Sequence, residues 1–338
     1  MGRSKAISRS ATTIGRMATT RLYRDGKVDQ AGFVLADISE LIVDETVALW
    51  ADFVSPGPEE LALIEEELGL HHLAVEDALH KAQRPKLDRY DTHLFIAAYA
   101  VAFDAESGEL TVAEVKAFIT PRALITVHGP EFDMAPVLRR WDNAPDLGSY
   151  GVAFLVWGLL DEIVDGHFAT VQQLDGAIEG LEDVLFDDRP RDKEVQKRSF
   201  ELRKSLVLLR RVVLPMREVV NAVLRRDLHT FDPAMGPYFQ DVYDHVLRAT
   251  EWTESLRDLV TTILETNLSI QGNRMNLIMK KVTSWAAIIA VPTAITGFYG
   301  QNLPYPGFAA EWGFWASTGL IVVLSGGLYL AFKRRDWL

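Results

Sequence analysis

Two uncharged stretches near the C-terminal end constrain this chain more than any other feature. Val282–Tyr299 runs for 18 residues and Gly313–Phe332 for 20 without a charged side chain. Each is long enough for a helix to cross a hydrocarbon core about 30 Å thick. A buried pair of core helices would be equally apolar, but the flanks fit a bilayer. Lys280 and Lys281 precede the first stretch, Lys333, Arg334 and Arg335 follow the second, and the short link between them carries only Glu311. Basic residues stay on the cytoplasmic side, so both ends face inward and the link faces outward. Trp285, Tyr299, Tyr305, Trp312, Trp315, Tyr329 and Trp337 fall near the two interfaces, where amphipathic rings collect. The expected hairpin has spans at about 282–302 and 313–332, an external loop at 303–312 and a basic cytoplasmic tail at 333–338.

The residues leading into the first span predict a very long helix. Between Pro237 and Pro292 there is no proline, and Gly272 is the sole glycine. Leu256, Ile263, Ile270 and Leu277 recur every seven residues, with Val260 on the adjoining position. About 60 residues at 1.5 Å each reach roughly 90 Å. Heptads sustained over that length suggest packing against copies of the same helix, alongside packing against earlier helices of the chain. Two spans cannot enclose a pore, so any conducting path needs several copies about an axis. The first span suits the lining because small or polar residues recur along it: Ala286, Ala290, Thr293, Gly297 and Gly300. Close helix packing favours the same residues. The second span is bulky and aliphatic and suits lipid.

The rest reads as soluble. Residues 1–25 hold Arg, Lys, Ser and Thr and no acid before Asp25, and are expected to be a disordered basic tail, with a mitochondrial presequence as the other reading. Residues 26–148 are expected to form a cytoplasmic α/β domain. It has strands at 47–54, 92–103, 110–119 and 123–128, and helices ending at Leu68 and near His80. Residues 149–236 form a helical hairpin, and 237–302 the long stalk helix. The formal charge of −12 argues against a nucleic-acid surface. With no cysteine, disulfides, thiolate metal sites and cysteine nucleophiles are excluded. No nucleophile–base set, phosphate-binding glycine loop or intramembrane acid is present, so neither an enzyme nor an energy-coupled pump is indicated.

Tyr299-Gly300-Gln301-Asn302 closes the first span, and Lys333-Arg-Arg-Asp-Trp-Leu338 closes the chain. Together they resemble the CorA family of magnesium channels, which carries Tyr-Gly-Met-Asn at this point. His72-Leu-Ala-Val-Glu-Asp-Ala-Leu79, Gln83-Arg-Pro-Lys86, Leu214-Pro-Met-Arg-Glu218 and Tyr238-Phe-Gln-Asp-Val-Tyr-Asp-His245 look like family segments in family order. The resemblance covers nearly everything from about residue 40. It implies an α+β cytoplasmic domain, a long helical stalk and a two-helix transmembrane hairpin. Five copies would assemble into a homopentamer in a bacterial inner membrane with both termini cytoplasmic. It implies passive Mg²⁺ influx gated by cytosolic Mg²⁺, with Co²⁺, Ni²⁺ or Zn²⁺ as further cargo.

Residue by residue, the resemblance implies a selectivity ring at the mouth built from Asn302 and the Gly300 backbone. Gln301 departs from the family methionine. A ring of neutral amides can hold the water shell of Mg²⁺, which dehydrates reluctantly, without trapping the ion. By itself, Asn302 reads as a helix cap before Pro304, and only the resemblance gives it the ring. Asn276, Met279, Val282 and Thr293 match pore-facing positions. Apolar Met279 and Val282 are placed to close the path by dewetting, though ordinary heptad packing explains them too. Glu76, Asp77 and Asp241 match regulatory metal ligands at a subunit interface, with Asp175 as a further candidate. Elsewhere such acids are mostly solvated surface groups. Two other functions remain open. One is a Zn²⁺ or other transition-metal transporter using His71, His72, His80 and His245, of which His245 shares a helix face with Asp241. The other is a membrane-anchored scaffold that conducts nothing.

Overall fold

The computed structural model describes residues 18–80, 84–185, 192–225, 231–301, 304, 306–308 and 310–338. They divide into two compact units, one up to Thr262 and one from Ile263 to Leu338.

The first unit is built on a seven-stranded sheet. In chain order the strands are β1 (Ala18–Arg24), β2 (Lys27–Ala31), β3 (Val47–Val54), β4 (Lys86–Arg89), β5 (Leu94–Asp104), β6 (Glu109–Ile119) and β7 (Ala123–His128). Their spatial order is β2-β1-β3-β7-β6-β5-β4. All neighbours are antiparallel except β3 and β7. Both faces of the sheet are covered at that central pair, so β7 is buried along its whole length, and the polar residues inside it meet one another: Asp52 accepts from the Thr126 hydroxyl and pairs with His128 Nε2 at 3.1 Å.

Two short helices cover one face. In α1 (Pro58–Leu68), the Glu60 carboxylate accepts the Gly57 N–H at 2.8 Å, and Gly69 closes the helix in a left-handed conformation. The next helix, α2 (His72–Leu79), is capped by His71, whose Nδ1 accepts the Leu73 N–H at 3.2 Å. Leu61, Ile64, Ala74, Val75 and Ala78 from these helices pack onto Leu49, Phe53, Phe118 and Ile125 of the sheet.

The other face carries α3 (Ala135–Asn143) and α4 (Val152–Leu185). Trp141 of α3 is fully buried. Its indole N–H donates to Leu155 O at 3.1 Å, and its ring meets Trp50 edge-on at 5.2 Å. Gly158 makes the seat, since a Cβ there would stand 2.4 Å from the indole nitrogen. β4 pairs only with Leu94–Ala97 of β5, so it is too short to reach the carbonyls farther along that strand. Helix α4 takes them up: His167 Nε2 donates to Tyr99 O at 2.6 Å. Burial holds the His167 pKa down to about 4, so the ring is neutral and can donate.

Helix α5 (Asp192–Leu224) comes next, passing through Pro215, and α6 (Gly236–Tyr299) follows as a continuous helix of 64 residues. Its heptad residues change character along the chain. Leu256 and Ile263 are buried, at 2% and 3%, whereas Leu277 is 50% exposed. Intramolecular packing thus accounts for the first half of the heptad stripe and leaves the second half open. The second unit holds the later part of α6 and α7 (Glu311–Arg334). Glu311 in the first turn of α7 and Lys333 and Arg334 in the last turn each suit the helix dipole.

Three features depart from the sequence expectation. Ala18–Arg24, assigned to the basic tail, is strand β1; residues 1–17 lie outside the described set. Its arginines are structural: Arg21 pairs with Asp142 at 3.0 Å, and Arg24 with Asp44 at 2.7 Å and Asp29 at 3.2 Å. Helix α3 and strand β4 were not anticipated. The α/β part and the first helices also form one compact unit, because α4 bonds directly to β5.

Candidate functional site: a membrane helix stripe and a set of acidic clusters

Among the described residues, two helices are long and apolar enough to cross a membrane. Their apolar windows are 6% and 0% buried within the chain, which is the opposite of a soluble core helix. On α7, Phe314, Trp315, Val322, Val323 and Leu330 stand more than half exposed. Inside α6, Pro292 lacks an N–H. The Thr293 and Thr296 hydroxyls donate to Ile289 O at 2.9 Å and to Pro292 O at 2.8 Å, carbonyls other than the Ile288 O from which the proline withholds a donor. The chain stays helical to Tyr299 and then turns, with the Gly300 N–H on Thr296 O at 2.8 Å and the Gln301 N–H on Phe298 O at 3.3 Å.

The residues expected to face a pore share one line on this helix. Asn276, Met279, Val282, Ala286, Ala290, Thr293, Gly297 and Gly300 follow at steps of three or four, and all are exposed. The line is polar at its start, apolar at Met279 and Val282, and small thereafter. Gln301 is also exposed. Asn302, the expected centre of the mouth ring, lies outside the described residues, as does Tyr305 of the aromatic belt.

The expected regulatory acids behave differently from one another. Glu76 is exposed on α2. Asp77, beside it, accepts Lys86 Nζ at 2.6 Å, and Lys86 also reaches Asp88 at 2.6 Å. Partial burial works against the Lys86 charge, but the two carboxylates outweigh it and raise its pKa. The C-terminal end of α2 is held by buried Lys116, whose ammonium donates to Ala78 O at 3.1 Å and to His80 O. Asp241 is exposed on α6, and Asp175 half-buried on α4. Among the described residues these four carboxylates make no three-ligand cluster within one chain.

The cluster that does form was not read from the sequence. Asp161 and Asp165 of α4 and His245 of α6 bring ligand atoms within 4.8 Å of one another. His245 Nδ1 lies 3.5 Å from Asp165. Arg140 of α3 enters the same group, bonding Asp161, Asp165 at 2.7 Å and Glu162 at 2.9 Å. The available signal was the i, i+4 spacing of Asp161 and Asp165. The partner arginine sits on a helix that the sequence reading did not find. His71, His72 and His80 join no metal-ligand cluster among the described residues. Instead His71 stacks on His72 at 4.7 Å and on Tyr90 at 4.8 Å.

With this geometry established, likeness to known proteins can be weighed. The family model described as CorA-like Mg²⁺ transporter protein matches residues 45–334. The putative metal ion transporter YfjQ of Bacillus subtilis is 31% identical over 292 residues, covering 85% of this chain and 89% of that protein. The cobalt/magnesium transport protein CorA of Thermotoga maritima is 31% identical over 277 residues, covering 81% and 78%. Among solved structures, the complete CorA magnesium transporter of Methanocaldococcus jannaschii shares the fold with a TM-score of 0.76 at 24% identity, covering 95% of this chain and 99% of that one. By the extent of the family match and by both relatives, the chain belongs to the CorA-like Mg²⁺ transporters, a family of membrane carriers of divalent cations and not of enzymes.

Proposed function

We propose that this chain is one subunit of a homopentameric channel that lets Mg²⁺ flow passively into a bacterial cytoplasm across the inner membrane, with both termini inside. The observation that carries this reading is the exposed line from Asn276 to Gly300 on a membrane-crossing helix. Water or a lumen is the environment that suits Asn276, Thr293 and the bare glycine backbone, and only several copies about an axis provide one. The exposed second half of the heptad stripe supports the same assembly.

Ions would enter past Gly300, Gln301 and Asn302, whose neutral amides hydrogen-bond to the hydration shell. Met279 and Val282, both more than half exposed, would form the dewetting constriction. An interior-negative potential of 100 mV supplies about 2.3 kcal/mol per charge, hence about 4.6 for a divalent ion, so no coupled reaction is needed. Cytosolic Mg²⁺ would bridge Glu76 and Asp77 of one copy and Asp241 of the next, with Asp175 as an outlying candidate. It closes the channel only through its preference for that state. Tracer flux into liposomes, with Co²⁺, Ni²⁺ and Zn²⁺ as competitors, tests the reading on wild type and Gln301→Met. Mg²⁺ uptake that Met279→Ala makes leaky at rest is the expected result; absence of any divalent flux overturns it.

A second reading is Zn²⁺ transport. His245, Asp161 and Asp165 are the donor types that favour it, although Arg140 pairs with both aspartates and an ion would have to displace that guanidinium. Zn²⁺ uptake that exceeds Mg²⁺ uptake and responds to an imposed pH gradient would select it.

A further inference from the structure

The parallel pair β3 and β7 carries buried charge at its C-terminal edge. Asp52 and His128 expose only 6% and 3% of their side chains. The bonds around them fix where each hydrogen sits. The Trp50 indole can only donate, and it donates to Thr126 Oγ1 at 3.0 Å. The Thr126 hydrogen then goes to Asp52 Oδ1 in preference to Ala51 O at 3.5 Å. The other carboxylate oxygen, Oδ2, lies 3.1 Å from His128 Nε2. Across the ring, Nδ1 lies 2.7 Å from Gly129 O, which can only accept. A neutral imidazole has one N–H and serves one of these two acceptors, whereas the imidazolium serves both. The same proton on Asp52 Oδ2 would complete the bonds equally, so it belongs to the pair. Burial opposes the charge on His128. The bond to Asp52 and its charge, the Gly129 carbonyl and the Glu131 carboxylate outweigh burial and raise the His128 pKa above the ordinary 6.5.

The pair sits where two segments leave the sheet. His128 is the last residue of β7, and its carbonyl accepts the Ser55 N–H at 2.8 Å, just after β3. Ser55 is held there at φ 51°, a left-handed conformation that costs a serine energy. Past His128, the Phe132 N–H returns to Gly129 O at 3.3 Å, and the Phe132 ring meets the imidazole edge-on at 5.2 Å. A cavity of about 290 Å³ opens at this corner, lined by Ser55, His128, Gly129, Glu131, Glu114 and Lys116 among others. The Lys116 ammonium is committed to Ala78 O, to His80 O and, at 3.4 Å, to Glu114. Among the described residues, the charged groups that face His128 are thus Asp52 on β3, Glu131 on the link to α3, and Glu114 and Lys116 on β6.

We propose that Asp52 and His128 form a proton-held latch: with the shared proton in place the corner is closed, and its loss as pH rises releases Ser55 and the Gly129–Phe132 link and opens the cavity. Deprotonation leaves one acceptor unserved and a buried carboxylate, near Glu131, without its counter-charge. The latch therefore holds fully below about pH 6.5 and weakens as pH rises through the value in the fold. Lys116, on the same cavity, holds the end of α2, the helix that carries Glu76 and Asp77, so an open corner bears on those acids. That last step rests on the regulatory reading given above; the latch does not.

The test is hydrogen–deuterium exchange of the detergent-solubilised full-length protein from about pH 6 to about pH 9, corrected for the intrinsic rise of amide exchange with pH. Peptides holding Ser55 and Gly129–Phe132 should lose about tenfold in protection over that range, while peptides of β5 and α4 keep theirs. His128→Gln should abolish this pH response, and Asp52→Asn should move its midpoint down by about one pH unit. Thermal unfolding in the same detergent shows whether each variant is folded; if His128→Gln is not, the Asp52→Asn midpoint decides. Protection in wild type that is indifferent to pH overturns the proposal. So does a response equal in all peptides, or one that both variants leave unchanged. Mg²⁺ inhibition of flux, measured at both ends of the pH range, tests the step to α2. A corner that responds to pH beside inhibition that does not sinks that step and leaves the latch standing; absence of flux sinks the channel alone.

Discussion

The sheet unit and the hairpin unit use the same large apolar residues in opposite ways. Trp50, Trp141, Phe95 and Phe118 are fully buried in the first. In the second, Trp315 and Val323 are each 70% exposed and Phe314 is 64% exposed. In water, burying such surface is what drives folding, at about 25 cal/mol per Å². In lipid there is no such gain, and the constraint is that backbone groups be satisfied within each helix. The lesson is that exposure has no fixed meaning until the solvent is known.

Four experiments break or sharpen that contrast. The largest effect is in solubility: the full chain should aggregate when detergent is withdrawn, while a chain ending at Thr262 stays dispersed and unfolds cooperatively. A detergent-free monomer of the full chain would refute the contrast outright.

Next comes packing. Trp141→Ala should cost about 3–5 kcal/mol, because indole, cavity and hydrogen bond are lost together. Val323→Ala, measured in detergent, should cost under about 1 kcal/mol, since lipid-like molecules refill the space. Comparable losses at both sites would mean that Val323 is packed against protein.

Third is pH. His167 is neutral in the fold, with its pKa lowered by burial from 6.5 to about 4. The unfolded chain therefore binds the extra proton first. Through this group, stability should fall as pH drops from about 6.5 to about 4. Burial also lowers His93 to about 4, so it acts in the same direction. His167→Asn should flatten part of the slope of melting temperature against pH, and an unchanged slope would remove His167 from the account.

The smallest effect on stability, and the most informative for regulation, concerns Lys86. Its pairs with Asp77 and Asp88 are partly exposed, so Lys86→Ala should shift stability by no more than about 1 kcal/mol. Removing the Lys86 charge from beside Asp77 should nonetheless increase inhibition of transport by Mg²⁺, whereas Asp77→Ala with Asp241→Ala should weaken it. Inhibition indifferent to all three changes would remove these acids from regulation.

The limits of sequence reading follow particular residues. The strands at 47–54 and 123–128 were legible because they are short, mostly apolar and rich in β-branched and aromatic residues, with Asp52, Thr126 and His128 as the exceptions. β1 was not: Arg21 and Arg24 look like a solvated tail until Asp142, Asp44 and Asp29 are brought beside them. The proposed pore line was readable because residues at steps of three and four share a helix face by covalent geometry alone. The group of Asp161, Asp165 and His245 was not, because His245 lies about 80 residues from the two aspartates and meets them only after α4 and α6 pack; Arg140 then fills their midst.

Sequence alone determined which parts meet water and which meet lipid, since hydropathy and flanking charge are local properties of a continuous helix. It also determined most of the length of α6, through the absence of proline between Pro237 and Pro292. Only the tertiary structure decided which charges neutralise one another. It assigned Lys86 to Asp77, Arg140 to the α4 acids, and His128 to Asp52. Coulomb energy depends on distance through space, and no pattern along the chain specifies that distance.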